Sequence, residues 1–252
     1  MQFAKPCGIL SIILFVITAT LYISVGNLNI ISHVSFMLMS ALTTICIWRT
    51  ASFVEFKDEK KFWMLLAISM FIYFIDKFAT AYSELVLNKV VVSPSVPDIF
   101  WIIGTIMAIY AFYSKLQITF LPIIAKRAIL TIILGSLGVL VMLYPLINLI
   151  LNQQVRIDIF IDFLYPILDI IPVVLSILII IPIINLPKRI SLPWILLGIG
   201  FICFLIYDFS FALYKLDAAS TNGIIDLIYL LAYMLITLGG YYKLSFISKK
   251  ND

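Results

Sequence analysis

Eight long apolar stretches follow one another along the chain, at Cys7–Val25, Asn29–Trp48, Phe62–Leu85, Val96–Leu116, Ala128–Leu151, Phe160–Ile184, Leu192–Tyr214 and Ile224–Leu244. Each is close to the ~20 residues that an α-helix needs to cross a hydrocarbon core. The stretches are apolar throughout rather than alternating, so they do not read as strands of an outer-membrane barrel. Short polar segments separate them and leave no room for a second, soluble domain. The pattern predicts an all-α polytopic membrane helical bundle of eight transmembrane helices, a single integral membrane domain over residues 1–252.

Composition sharpens this picture. Of the 252 residues, 63% are hydrophobic and 12% charged, against about 45–50% and about 25% in soluble domains. A water-soluble enzyme, a disordered chain and a nucleic-acid-binding module are excluded, and the expected environment is a lipid bilayer. The net charge of +4 is spread in small clusters between the apolar runs. Thirteen Lys and Arg fall on one side of the alternating topology and three on the other, with Lys77 inside the third run. Because cytoplasmic loops carry the excess of Lys and Arg, both termini are expected in the cytoplasm and the protein in the cell membrane.

The fourth and eighth runs match without a gap. Asp98-Ile-Phe-Trp101 aligns with Asp226-Leu-Ile-Tyr229, and Tyr113, Lys115 and Leu116 align with Tyr241, Lys243 and Leu244. The third and seventh runs agree as well, Asp76 and Tyr82 having the spacing of Asp208 and Tyr214. The matches predict a 4+4 internal repeat with halves 1–127 and 128–252. An even number of spans per half makes the repeat parallel, with its axis along the membrane normal.

Ionisable residues at membrane depth cost about 2.5–3.5 kcal/mol on insertion scales, so they face a partner or a cavity. The intramembrane acids, Asp76, Asp98, Asp162, Asp169, Asp208 and Asp226, all fall in the outer half of the predicted bundle. Asp226, Tyr229, Tyr233 and Thr237 form one helical stripe, and Asn29, His33, Ser40 and Thr44 another. The first and fifth runs carry no ionisable residue and are expected at the lipid-facing periphery. The other six would surround an outward-open polar pocket lined by Asp76, Lys77, Asp98, Asp162, Asp169, Asp208, Asp226, Tyr229, Tyr233 and His33. Each also has a structural reading: a charge on a helix dipole, a helix-bridging ion pair, a satisfied core histidine. Lys77 lies too deep to reach water, and Asp76 points about 100° away around the helix, so Asp208 or Asp169 is its expected partner.

Known enzyme patterns are not met. The single histidine and the lack of an H-E-x-x-H motif exclude bis-His haem and zinc sites of that type. Tyr207-Asp208 has the form of one half of an intramembrane aspartyl protease motif, but the Gly-x-Gly-Asp half does not occur. Cys7, Cys46 and Cys203 have no metal spacing and read as small packing residues. Neither an enzymatic activity, a cofactor nor a metal is expected.

Pro94-Ser-Val-Pro-Asp98-Ile-Phe-Trp-Ile-Ile-Gly104 resembles the P-S-x-x-D-x-(F/L)-(Y/W)-x-x-G stretch of a multi-helix membrane sensor region. That region precedes archaeal histidine kinases and bacterial diguanylate cyclases. Tyr165-Pro-Ile-Leu-Asp169, Pro193-Trp194 through Asp208, and Gly223-Ile-Ile-Asp226-Leu-Ile-Tyr229 follow its order of landmarks, so the resemblance covers Pro94 to Tyr242. It implies a sensor that binds a small ligand from the outside. Only Ser245–Asp252 follow the last run, so the resemblance implies a stand-alone module signalling to a separate, kinase-like partner in the membrane or cytoplasm. The alternative is a secondary transporter with Asp76, Lys77, Asp169 and Asp208 as its ion-coupling cluster.

Overall fold

The computed structural model describes residues 4–24, 28–119, 157–216 and 223–248, with 131, 133, 135–141, 143, 144 and 147 between them. The elements are α1 (Ala4–Ser24), α2 (Leu28–Phe53), α3 (Lys57–Ala81), α4 (Val96–Thr119), α5 (described over 135–141), α6 (Ile157–Ile183), α7 (Lys188–Leu216) and α8 (Gly223–Ser248). A π-helical turn, Tyr82–Val86, continues α3. The chain is all-α, and six of its helices (α2, α3, α4, α6, α7 and α8) are long and apolar enough to cross a bilayer. This is the make-up of a multi-pass membrane protein. The apolar part of α1, Pro6–Tyr22, is shorter, and most of the predicted fifth run, Ala128–Leu151, lies outside the described residues.

Several helices overrun the apolar stretches that predict them. α3 starts at Lys57 rather than Phe62, and α7 at Lys188 rather than Leu192. Backbone hydrogen bonding continues into the polar flank, where Lys57, Asp58, Lys188 and Arg189 are exposed and carry no desolvation cost.

The six long helices form a closed ring in the order α2, α3, α4, α6, α7, α8, with α8 returning to α2. α1 packs outside the ring against α8 and α2, and Gly135 of α5 sits against Val174 of α6. Both outer helices present apolar faces, Ile9, Ile13 and Val16 on one and Leu137, Leu140 and Val141 on the other, as lipid contact requires.

Small residues set the helix crossings, as expected where lipid supplies no hydrophobic drive for helix association. Ser69 donates to the carbonyl of Gly104 at 2.7 Å, drawing α3 and α4 together. Thr50 donates to that of Gly240 at 3.0 Å, between α2 and α8. Gly200 leaves room for Ile236 and the carbonyl of Ala232 on α8. Inside the ring lies an aromatic layer. Phe62 meets Trp194 with ring centres 4.8 Å apart, Phe112 meets Phe201 at 5.0 Å, and Phe204 meets Tyr233 at 4.9 Å. All six of these rings are buried.

Candidate functional site

Above the aromatic layer, at the end of the ring where α4 and α8 begin, the helices open around a pocket of about 260 Å³. Every ring helix contributes to it. Its depth is set by α3, where Asp76 is buried and Lys77 nearly so. Lys77 Nζ lies 2.8 Å from Asp76 Oδ2 and 4.8 Å from the centre of the Tyr229 ring. The expected pairing of Lys77 with Asp208 or Asp169 is therefore corrected. The Cα positions of Asp76 and Lys77 diverge around the helix, but the flexible four-carbon lysine stem curls back to the neighbouring carboxylate. The ammonium is left on the face of a ring, where a cation is attracted by the π-electrons.

The acids at the start of α4 and α8 are held in parallel ways. Asp98 accepts a hydrogen bond from the backbone N–H of Ser95, from the Ser93 hydroxyl at 3.4 Å and from the Tyr165 hydroxyl of α6. Asp226 accepts from Ser32 of α2 at 2.7 Å and from Tyr22 of α1 at 2.9 Å, the two hydroxyl oxygens standing side by side. In the first turn of its helix, each acid also lies in the positive field of the helix start. Asp162 of α6, buried, accepts from Ser93 at 3.3 Å, so one serine between α3 and α4 serves two carboxylates.

The π-helical turn shapes the rim. It carries Glu84 to His33 of α2, with Nε2 to Oε2 at 2.9 Å, while the other oxygen of Glu84 accepts the backbone N–H of Val91 at 3.2 Å. Such turns inside α-helices are frequent at functional sites. Here it binds α3, α2 and the following segment at one point.

Of the ten residues expected in the pocket, His33, Asp76, Lys77, Asp98, Asp162, Asp208 and Asp226 line it together. Asp169, Tyr229 and Tyr233 lie beneath as buried floor. The buried Asp169 carboxyl lies close to that of Asp208, and the Tyr229 and Tyr233 hydroxyls are 3.3 Å apart. The aromatic lining of Phe36, Trp101, Tyr165, Tyr207 and Phe211, and the acid Glu84, were not among the residues the sequence singled out for the pocket. Tyr165 and Tyr207 stand within four residues of acids that were, which is the signal that could have found them. Tyr22 of α1 also directs its hydroxyl inward, to Asp226.

Six carboxylates (Asp76, Glu84, Asp98, Asp162, Asp208 and Asp226) thus face one ammonium and one imidazole. Among the described residues no three His, Cys, Asp or Glu side chains converge closely enough to hold a metal ion. The chain matches no protein-family model, no curated protein and no solved structure.

Proposed function

We propose that the chain is a receptor-like membrane module that binds a small organic cation in the acidic pocket and passes a helix shift to a separate partner. The observation that carries this reading is the excess of carboxylates in a pocket whose walls are aromatic. Carboxylates spread around aromatic rings, without convergence on one point, suit an organic ammonium, which gains both ion pairing and attraction to the ring faces. The volume suits a metabolite below drug size. Acids on α3, α4, α6, α7 and α8 repel across an empty pocket, so a bound cation draws the outer helix ends together. That differential stabilisation is what a ligand needs to shift an equilibrium between two helix arrangements. The resemblance to sensor regions that precede kinases and cyclases agrees with this reading.

The 4+4 parallel repeat is part of the proposal. In the ring, α2–α3–α4 are followed by α6–α7–α8 in the same order, α4 meeting α6 as α8 meets α2. Phe62 and Trp194, which stand at equivalent positions when Asp76 is aligned with Asp208, touch each other, as residues near a two-fold axis do. Asp98 and Asp226 each accept a hydroxyl from a helix of the opposite half.

A secondary carrier is the second reading, favoured by the contact between Asp169 and Asp208 beneath the pocket. The two are separated by titrating purified protein with primary and quaternary ammonium compounds, following thermal stability, and then measuring uptake of any binder into proteoliposomes. A receptor binds saturably, loses binding in Asp208→Asn and Trp101→Ala, and gives no net flux. Net flux sinks the receptor reading in favour of the carrier. Binding that prefers anions sinks both.

A further inference from the structure

Aligned as a repeat, the two halves differ at a position that carries charge. Setting Asp76 against Asp208 puts Lys77 against Phe209, and setting Asp98 against Asp226 puts Trp101 against Tyr229. In one half these positions make a seat for an ammonium. Lys77 Nζ lies 2.8 Å from Asp76 Oδ2 and 4.8 Å from the centre of the Tyr229 ring. Phe36 of α2 meets that ring edge-on, with centres 4.9 Å apart.

The other half has the acid and the ring without the lysine. Asp208 is buried and lines the acidic pocket, and its Oδ2 accepts no hydrogen bond. Trp101 lines the same pocket and packs on Tyr165 of α6, with centres 4.2 Å apart. Phe209 stands where the lysine would be, but it joins Phe163 and Ala212 in a separate apolar cluster and is no part of the pocket wall. Among the described residues no cation is seated on the Trp101 ring. The Asp169 carboxyl lies close to Asp208, so the half without the lysine carries a further acid.

A carboxylate at this depth calls for a counter-charge, because an unpaired buried charge is costly. Asp76 finds one on its own helix, whereas Asp208 faces a pocket that can admit one. An ammonium between a carboxylate and a ring face gains both ion pairing and attraction to the π-electrons. A primary ammonium also donates N–H to the carboxylate at short range, as Lys77 does, and such charge-assisted hydrogen bonds are strong. A quaternary nitrogen has no N–H, and its methyl groups hold it farther away.

We propose that the ligand of the acidic pocket carries a primary ammonium group, seated between Asp208 and the face of Trp101 as the Lys77 ammonium is seated between Asp76 and Tyr229. The inference rests on the organic-cation reading and on the repeat, and it narrows the ligand to a primary amine held at one wall. Lys77 is the built-in copy of the group that the other half takes from outside.

The side-chain analogue of lysine, n-butylammonium, tests this against butyltrimethylammonium, each titrated into the purified full chain in detergent with thermal unfolding as the readout. n-Butylammonium should stabilise wild-type protein saturably, and the quaternary compound should bind at least about tenfold more weakly for want of the charge-assisted hydrogen bond. Phe209→Lys supplies the ammonium internally and should abolish the response, as should Asp208→Asn. Phe209→Leu, which removes the ring and adds no charge, should respond as wild type does, and equal loss there overturns the inference. So does a response that persists in folded Phe209→Lys or Asp208→Asn, or a quaternary compound bound as tightly as the primary one; each leaves the organic-cation reading standing. Wild-type protein that answers neither compound overturns the inference too, and silence toward the whole ammonium series removes the organic-cation reading with it. Should a variant fail to fold, the comparison of the two compounds on wild-type protein still decides.

Discussion

The acidic pocket and the basic crevice at the opposite end of the ring are built from the same helices, yet among the described residues six carboxylates with Lys77 and His33 line the pocket, and Lys115, Lys243 and Arg189 with Glu59 line the crevice. Side-chain length explains why the two differ in construction. An aspartate has one methylene and stays at the depth of its backbone. Four of the pocket acids are met locally: Asp76 by Lys77, Asp98 by Tyr165 and two serines, Asp162 by Ser93, and Asp226 by Ser32 and Tyr22. A lysine has four methylenes and can carry its charge toward the interface, and here Lys243 reaches Glu59 while Lys115 lies over the face of Trp194. The pocket is a network of short polar side chains that must be satisfied in place. The crevice is a set of long ones that lean on apolar walls. The layer of Phe62, Phe112, Trp194, Phe201, Phe204 and Tyr233 keeps the two apart.

The largest expected effect is all-or-none and asks which end faces outward. A cysteine replacing Lys89, next to the acidic pocket, should react with a membrane-impermeant thiol reagent on intact cells. One replacing Lys188, at the basic end, should react only after permeabilisation. The reverse pattern would turn the acidic pocket toward the cytoplasm and put the crevice outside.

Next comes the floor of the pocket. Asp76→Asn leaves the Lys77 ammonium without its counter-charge, and breaking a buried pair in this way costs about 3–5 kcal/mol. Thermal unfolding in detergent should show that loss, with Asp76→Asn/Lys77→Met recovering most of it. Combining Lys77→Met with Asp208→Asn should instead give near-additive losses. Strong coupling between Lys77 and Asp208 would redraw the pocket around a different pair.

The separating layer and its flanks depend on close helix approach. Gly200→Val would place a Cβ about 2.7 Å from Ile236 and 3.1 Å from the carbonyl of Ala232, far inside van der Waals contact. Overpacking of this kind costs about 1–3 kcal/mol, again read by thermal unfolding. A neutral result would mean that α7 and α8 can part, which would strengthen the carrier reading.

The smallest effect belongs to the rim. His33 and Glu84 are only half-buried, and pairs of this kind contribute about 0–1 kcal/mol. Glu84→Gln should therefore shift stability by no more than that. A loss comparable to that of Asp76→Asn would make the rim part of the floor's network.

Much of this was determined along the chain itself. Twenty-residue apolar runs have one stable answer in lipid, a helix that satisfies its own backbone, so the all-α fold and the six long spans follow from composition and length alone. Intramembrane ionisable residues must face one another or a cavity, which is why seven of the ten candidate residues meet in one pocket. Helix ends were less legible, because a helix runs on into polar flanks at no cost, as α3 does from Phe62 back to Lys57. Which side chain answers which charge was decided only by the tertiary structure. Helical spacing tells where a Cα points, but a lysine stem bends farther than one residue's turn, and so Lys77 found Asp76. The aromatic walls of the pocket were hidden for a related reason. In a sequence with 14% aromatic residues, a ring that lines a cavity is indistinguishable from one that packs a core or meets lipid until neighbouring helices close around it.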